Sequence, residues 1–300
     1  MRIVIALGGN ALLQRGQPLR ADLQDQNICR AAAEIAKCIQ AGHEVIICHG
    51  NGPQVGLLLL QSEAYQGVPA YPLDVLGAES QGMIGYLLQR ELKNNLPERQ
   101  IVTLLNQVEV ADNDPAFSTP TKFIGPQYDA ARLGQCTDQG WQMRLDGDKY
   151  RRVVPSPQPM AIVEIDIIHS LVQQQTIVIC GGGGGVPVIH KNERWQGVEA
   201  VIDKDKTAAC IARQLDADLL LILTDVDAVY RNWGTADQQM ISTINPATLL
   251  QLPLPAGSMG PKAEAAADFV NYTGKRAAIG QLCHAREIIC GQAGTQITSS

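Results

Sequence analysis

The stretches MRIVIALGGNAL (1–12) and EVIICHGNGPQVG (44–56) decide the fold. In each, a short apolar run rich in Ile and Val passes directly into a glycine–asparagine turn, Gly8-Gly9-Asn10 in the first and Gly50-Asn51-Gly52 in the second. Short runs that are apolar throughout read as strands covered on both faces. Pro53 stands where a first helical residue belongs, so the second turn feeds a helix. Working outward, similar runs predict strands at 101–105, 176–180, 218–223 and 277–280, and helical spacing predicts helices at 22–41, 53–66, 74–93, 164–174, 203–215 and 261–273. This alternation predicts an α/β fold with a mainly parallel central sheet.

The composition is that of an ordinary folded chain: 300 residues, 45% hydrophobic, 18% charged, with a net charge of −6. Such a balance argues against a broad nucleic-acid or anionic-membrane surface, yet leaves room for a small anion held by a few local lysines. No run approaches the roughly 18 apolar residues that span a bilayer, and the first apolar run is too short for a secretory signal. The eight cysteines include no C-x-x-C pair, and several lie inside apolar runs. They read as reduced, buried thiols in a cytoplasmic protein.

From about 107 to 158 the rhythm breaks, with prolines at 115, 120, 126, 155 and 157 and only weak strand signals at 141–144 and 151–154. A structureless loop of that length is improbable in a compact domain. The segment is expected to be an inserted subdomain or lid on a single domain of residues 1–300.

Ligands of parallel sheets bind beyond the carboxyl ends of the strands. The two glycine–asparagine turns would point backbone N–H groups and an amide side chain at an anion there. Gly181 to Gly185 follow the strand 176–180 directly. Close backbone approach to phosphates, through Gly182 and Gly183, is preferred to a flexible linker, because buried strand lies on one side and Val186-Pro187-Val188 on the other. Neither a P-loop nor a G-x-G-x-x-G fingerprint is present. Lys204 and Lys262 each stand near a helix N-terminus, against the helix dipole, which marks an anion site. Lys206 reads as a surface lysine paired with a neighbouring acid, and Asp205 as an acid that orients the lysines. Thr224-Asp225-Val226-Asp227 ends a buried strand, where it could ligate a metal ion or receive a nucleotide's sugar and base. His49 reads as structural or orienting rather than as a general base. Gly77, Gly82 and Gly85 in the helix 74–93 suit either a close helix contact or core packing.

Taken together, ALGGNAL (6–12), HGNGPQVG (49–56), PLDVLGAESQGMIGY (72–86), DPAFSTPTKFIGPQY (114–128), RRVVPSPQP (151–159), CGGGGGVPV (180–188), GVEAVIDKD (197–205), LTDVDAVYRNWG (223–234) and GSMGPKAEAA (257–266) resemble the carbamate kinases, within the wider amino-acid kinase family. The resemblance runs the length of the chain. It implies a three-layer αβα sandwich around an eight-stranded, largely parallel sheet, a protruding subdomain at about 107–158, and a homodimer. By motif, Gly8, Gly9, Asn10, Gly50 and Asn51 would cradle the transferring phosphoryl group and the carbamate. Lys122, Lys204 and Lys262 would contact the phosphates, with Asp205 organising them. Thr224, Asp225, Asp227, Tyr230, Met259 and Gly260 would form the nucleotide pocket. The implied ligands are ATP or ADP with Mg²⁺, carbamate and carbamoyl phosphate, with no metal fixed by the protein alone. ATP synthesis in a catabolic pathway for arginine or ureides is the expected direction. The chain departs from the family pattern at Lys149-Tyr150 and at Lys206-Thr207.

Carbamate is already an oxyanion, so phosphoryl transfer to it requires no general base, and none is evident in the sequence. A kinase acting on another small acid would need a pocket for a larger body, with a clamp that is absent near 49–56. A non-catalytic nucleotide sensor would be expected to have lost one of Lys122, Lys204, Asp205 or Lys262, and a nicotinamide-dependent dehydrogenase lacks its glycine fingerprint.

Overall fold

All six sequence-predicted strands lie side by side. The computed structural model describes residues 1–13, 17–255 and 257–299, with Asn10 and Ala11 described by backbone only. Among the described residues the main sheet has eight strands, in the order Thr243–Ile244, Thr295–Ile297, Arg276–Gln281, Leu219–Thr224, Arg2–Leu7, Glu44–His49, Ile177–Ile179 and Ile101–Thr103. Every neighbouring pair is parallel except Arg276–Gln281 with Thr295–Ile297.

Alternation along each strand sends side chains to opposite faces. Val4, Ala6, Leu220 and Ile222 pack against the helices Ile165–Gln173, Lys204–Gln214 and Met259–Thr273. Ile3, Ile5, Leu7, Leu219, Leu221 and Leu223 pack against Ala21–Gln40, Leu73–Asn95 and Ala285–Ile289. The expected αβα sandwich is therefore present, with a separate apolar cluster on each face of the sheet. Gly85 belongs to this packing: a Cβ there would lie 2.2 Å from Thr103 Cγ2, whereas nothing lies within 4 Å of one at Gly77 or Gly82.

The two strands absent from the sequence reading are short, and one of them carries buried polar groups. Thr295 Oγ1 donates to the Ile241 carbonyl at 2.6 Å and accepts from Val229 N at 2.8 Å. Gln296 donates to the Ala293 carbonyl at 2.8 Å. Buried side chains satisfied in this way escape an apolar-pattern search.

The segment 107–158 divides in two. Gln107–Glu109 joins a four-stranded sheet with Ala161–Ile162, Val186–Lys191 and Arg194–Gly197. Lys122–Tyr128, Lys149–Val154 and Gln142–Asp146 form a separate three-stranded antiparallel sheet, labelled the lid sheet below after the expectation for this segment. The strand Lys122–Tyr128 had no sequence signal because Gly125-Pro126 interrupts it, and there its pairing with Lys149–Val154 shifts register. At this bulge the lid sheet meets the helix Gly52–Ala64: a Cβ at Gly56 would lie 2.9 Å from Gly125 Cα.

Gly184 has φ +96°, and a Cβ there would lie 2.3 Å from the Ile202 carbonyl oxygen. A left-handed conformation combined with a backbone clash cannot be relieved by a side-chain rotation. Gly184→Ala is expected to cost at least about 2 kcal/mol, read as a lower denaturant midpoint, and an unchanged midpoint would contradict this packing.

Candidate active site

Asp203 caps the helix Lys204–Gln214, its Oδ1 accepting from Asp205 N at 2.9 Å and Lys206 N at 3.4 Å. Its other oxygen accepts from Lys122 Nζ at 2.7 Å, tying the lid sheet to this helix end. Two residues on, Asp205 is buried and takes two lysines: Lys204 Nζ on Oδ1, and Lys262 Nζ on Oδ2 at 3.2 Å. Lys262 is the fourth residue of the helix Met259–Thr273. Three ammonium groups thus meet two carboxylates, leaving one positive charge in excess. This answers the helix-dipole conflict that marked Lys204 and Lys262: each is held against Asp205 rather than solvated.

Burial and charge act differently across this cluster. Burial tends to raise Asp203, but the charges of Lys122, Lys204 and Lys262 outweigh it and hold the carboxyl far below the ordinary range. Burial pushes the Lys204 ammonium down, with Asp205 opposing and the charge of Lys262 adding to the depression. Burial also tends to lower Lys262, but there Asp205 prevails and the group is raised. The two lysines share one carboxylate yet shift in opposite directions because Lys204 is the more deeply enclosed.

The glycine turns converge on the same point. A Cβ at Gly50 would lie 3.1 Å from Gly9 N and 3.5 Å from Lys204 Cδ, and one at Gly8 would lie 3.0 Å from the Leu223 carbonyl and 3.9 Å from Thr224 Oγ1. The turns therefore work by leaving room. One expectation changes: the N–H groups of Gly8 and Gly50 are not free for an anion. Gly8 N donates to Leu223 O at 2.8 Å and Gly50 N to Leu7 O at 3.0 Å, extending the sheet ladder past the strand ends. The side chain of Asn10 lies outside the described residues. Asn51 is buried and its Nδ2 donates to Ser80 Oγ at 2.8 Å.

The glycine run is closely packed within the protein. A Cβ at Gly182 would lie 2.5 Å from His49 Nε2, and one at Gly183 would lie 2.0 Å from Asn51 Nδ2. Close approach is what these positions need, and the side chains of His49 and Asn51 lie against them here. His49 is fully enclosed, with Nδ1 3.0 Å from the Gly50 carbonyl. Burial pushes its imidazole down to about 4, the Gly50 carbonyl opposing and the Lys204 charge adding. It is a neutral, structural histidine.

Beside the lysines opens a cavity of about 770 Å³ whose walls include Gly8, Gly9, Thr224, Asp225, Tyr230, Met259 and Lys262. Asp227 acts one step removed, accepting from the Tyr230 hydroxyl at 2.8 Å, and Gly260 N donates to the Pro255 carbonyl at 2.9 Å. Among the wall residues that escaped the sequence reading, one is aromatic and one is charged. Trp233 stands with its ring 5.2 Å from that of Tyr230. Arg151 comes from the lid sheet and donates from Nε to the Gly125 carbonyl at 2.8 Å. Trp233 was within reach, three residues after Tyr230 in one motif; Arg151 depends on tertiary folding. Asp203 was also passed over, because its capping role explains it locally. The departures at 206 and 207 are accommodated: Lys206 pairs with Glu264 at 3.0 Å, as expected of a surface lysine, and Thr207 Oγ1 donates to the Gly184 carbonyl at 2.8 Å.

Comparison with known proteins gives a consistent result. The model of the amino acid kinase family matches residues 1–281. The carbamate kinase of Haemophilus influenzae is 54% identical over 303 residues, covering 99% of this chain and 97% of the relative. That of Rhizobium meliloti is 52% identical over 305 residues, covering 100% and 94%. Among solved structures, carbamate kinase from Giardia lamblia bound to AMP-PNP superposes with a TM-score of 0.91 at 40% identity, covering 99% of this chain and 98% of that one.

The buried imidazole provides a test that needs no substrate. His49 is depressed to about 4, against an unfolded value of about 6.5. Between those values the unfolded chain binds the extra proton, so the stability this group contributes is present above pH 6.5 and lost as pH falls. Relative to His49→Asn, the wild-type protein is expected to lose about 3 kcal/mol between about pH 7 and pH 4. Parallel stability–pH curves from denaturant titrations would refute the assignment.

Proposed function

Since this chain belongs to the amino acid kinase family, among its carbamate kinases, we propose that its lysine cluster and glycine turns carry out the transfer in the following way. The reaction interconverts ATP plus carbamate with ADP plus carbamoyl phosphate. Its transition state spreads negative charge over the migrating phosphoryl group, so catalysis rests on position and counter-charge. The convergence of Lys122, Lys204 and Lys262 on Asp203 and Asp205, beside the cavity, is the observation that carries this reading.

Lys204 and Lys262 offset charge on the bridging and leaving oxygens. Asp205 holds both ammonium groups in place without cancelling them, because two positive charges share one carboxylate. Lys122 reaches over the transferring group from the lid sheet, with Asp203 as its resting partner. Gly8, Gly9, Gly50 and Asn51 line the path between the two substrates, while Gly182 and Gly183 serve by seating His49 and Asn51. The nucleotide occupies the cavity walled by Thr224, Asp225, Tyr230 and Met259, with Asp227 steadying Tyr230. A carbamate oxygen is the nucleophile and needs no proton removed, which agrees with the neutral, enclosed state of His49.

Among the described residues no group of three or more His, Cys, Asp or Glu could hold a metal ion, and Asp225 is the one carboxylate on the cavity wall. That donor set fits a divalent cation, Mg²⁺ in our reading, delivered with the nucleotide, where it would neutralise part of the phosphate charge. We read the segment 107–158 as a lid, the physiological direction as ATP synthesis in a catabolic pathway, and the location as cytoplasmic. No helix among the described residues is long and apolar enough to cross a membrane. We also read the chain as a homodimer, since the outermost strand Ile101–Thr103 is flanked by the exposed Leu105 and Tyr86. Light scattering is expected to return twice the 32.3 kDa chain mass; a monomer would overturn that reading.

Lys204→Ala is expected to lower turnover by about 100-fold or more, the usual loss for a main electrostatic stabiliser. The measurement is ATP formation from ADP and carbamoyl phosphate. Near-normal turnover would remove Lys204 from the mechanism, and inactivity of the wild-type chain in this assay would remove the function.

A further inference from the structure

The lid strand Lys149–Val154 presents consecutive arginines to opposite faces, as strand geometry requires. Arg151 faces the nucleotide cavity. Arg152 faces a different cavity, of about 540 Å³, on the other side of the lid sheet, with Leu59, Glu63, Phe117, Trp141 and Glu199 among its walls. None of the lysines of the active site lines this second cavity.

Arg152 is held there unusually. Its guanidinium lies 4.9 Å from the centre of the Trp141 ring, and its nearest carboxylate oxygen, on Glu199, is 4.0 Å away. Its side chain is only 16% exposed. A largely enclosed guanidinium with five donors and, among the described residues, no acceptor at hydrogen-bond distance is arranged for an incoming anion. Glu199 is partly committed already, because its Oε1 accepts from Leu73 N at 3.0 Å. Glu63 is close enough for its charge and that of Arg152 to influence each other, and burial raises its carboxyl with Arg152 opposing. A simple anion would meet two acids as well as the arginine. A molecule carrying both charges would pair with Arg152 and with Glu63, Glu199 remaining on Leu73 N, and its body would lie against Leu59, Phe117 and Trp141.

We propose that this second cavity binds a small zwitterionic amino acid with an apolar side chain, its carboxylate on Arg152 and its ammonium on Glu63. The site joins two bodies that matter elsewhere. Glu63 and Leu59 belong to the helix Gly52–Ala64, whose N-terminus follows Asn51. Arg152 is paired with Ile124 on the strand that carries Lys122. A bound amino acid would therefore clamp the lid sheet to that helix.

Calorimetric titration of the full chain with L-phenylalanine tests this, beside 3-phenylpropionate, which lacks the ammonium, and phenethylamine, which lacks the carboxylate. L-phenylalanine is expected to bind, and each of the other two to bind at least about tenfold more weakly. Arg152→Gln and Glu63→Gln are each expected to weaken L-phenylalanine by at least about tenfold. Glu63→Gln leaves the Arg152–Trp141 stack in place, so a loss there is not a folding defect. Three results would overturn the proposal: no binding of L-phenylalanine at millimolar concentration, equal binding of 3-phenylpropionate, or undiminished binding by both variants. Failure here leaves the lysine-cluster assay untouched, because none of these groups belongs to it.

Discussion

The structure depends on one carboxylate. Asp205 is buried in the first turn of its helix and bridges the ammonium groups of Lys204 and Lys262, which come from different helices. Enclosing three charges is costly unless each finds its counter-charge, and removing one partner of such a set leaves an uncompensated ion worth about 3–5 kcal/mol. The cluster is therefore an unlikely device for stability alone. Its net positive balance makes sense once an anion completes it, and the cleft at the strand ends supplies the space. Asp203 extends the arrangement by one further link, since a single side chain caps the helix and holds the lysine of the lid sheet.

Absence of side chains matters as much as their presence. Gly50 lies against Gly9 and the stem of Lys204, and the run from Gly181 to Gly185 lets His49, Asn51, Val108 and Ile202 approach the main chain. A β-carbon at several of these positions would overlap neighbouring atoms. The glycines thus set how closely three strand ends can gather, and through that how near the lysines lie to the turns. Neutral His49 fits the same logic: beside Lys204 a second cation would be repelled, and burial keeps the ring uncharged.

Six strands of the sheet were legible because each lies in an unbroken apolar run; the four central ones are six residues long and almost wholly buried. Thr295–Ile297 was not legible, because its polar side chains are satisfied by partners distant in the chain. The lysines could be found because each contradicts a local rule, whereas Asp203 obeys one and so drew no notice. Backbone accounting corrected the turns. A sequence shows that Gly8 and Gly50 can adopt a tight turn but not that their N–H groups are already spent on Leu223 and Leu7. Gly182 and Gly183 were legible as positions of close approach, but their neighbours His49 and Asn51 were not. Arg151 and Arg152 look alike in the sequence; only the pleat separates their destinations.

The contact between Gly56 and Gly125 bears on how closely the sheet carrying Lys122 can approach the helix Gly52–Ala64. Main chain rests on main chain there, the nearest atom to a β-carbon at 56 being Gly125 Cα at 2.9 Å. Nothing compressible intervenes, so the Lys122 strand can lie no closer to the helix Gly52–Ala64 at this point. The thickness of whatever occupies position 56 consequently sets the spacing between that helix and the strand carrying Lys122, and a graded series of residues there would act as shims of known size.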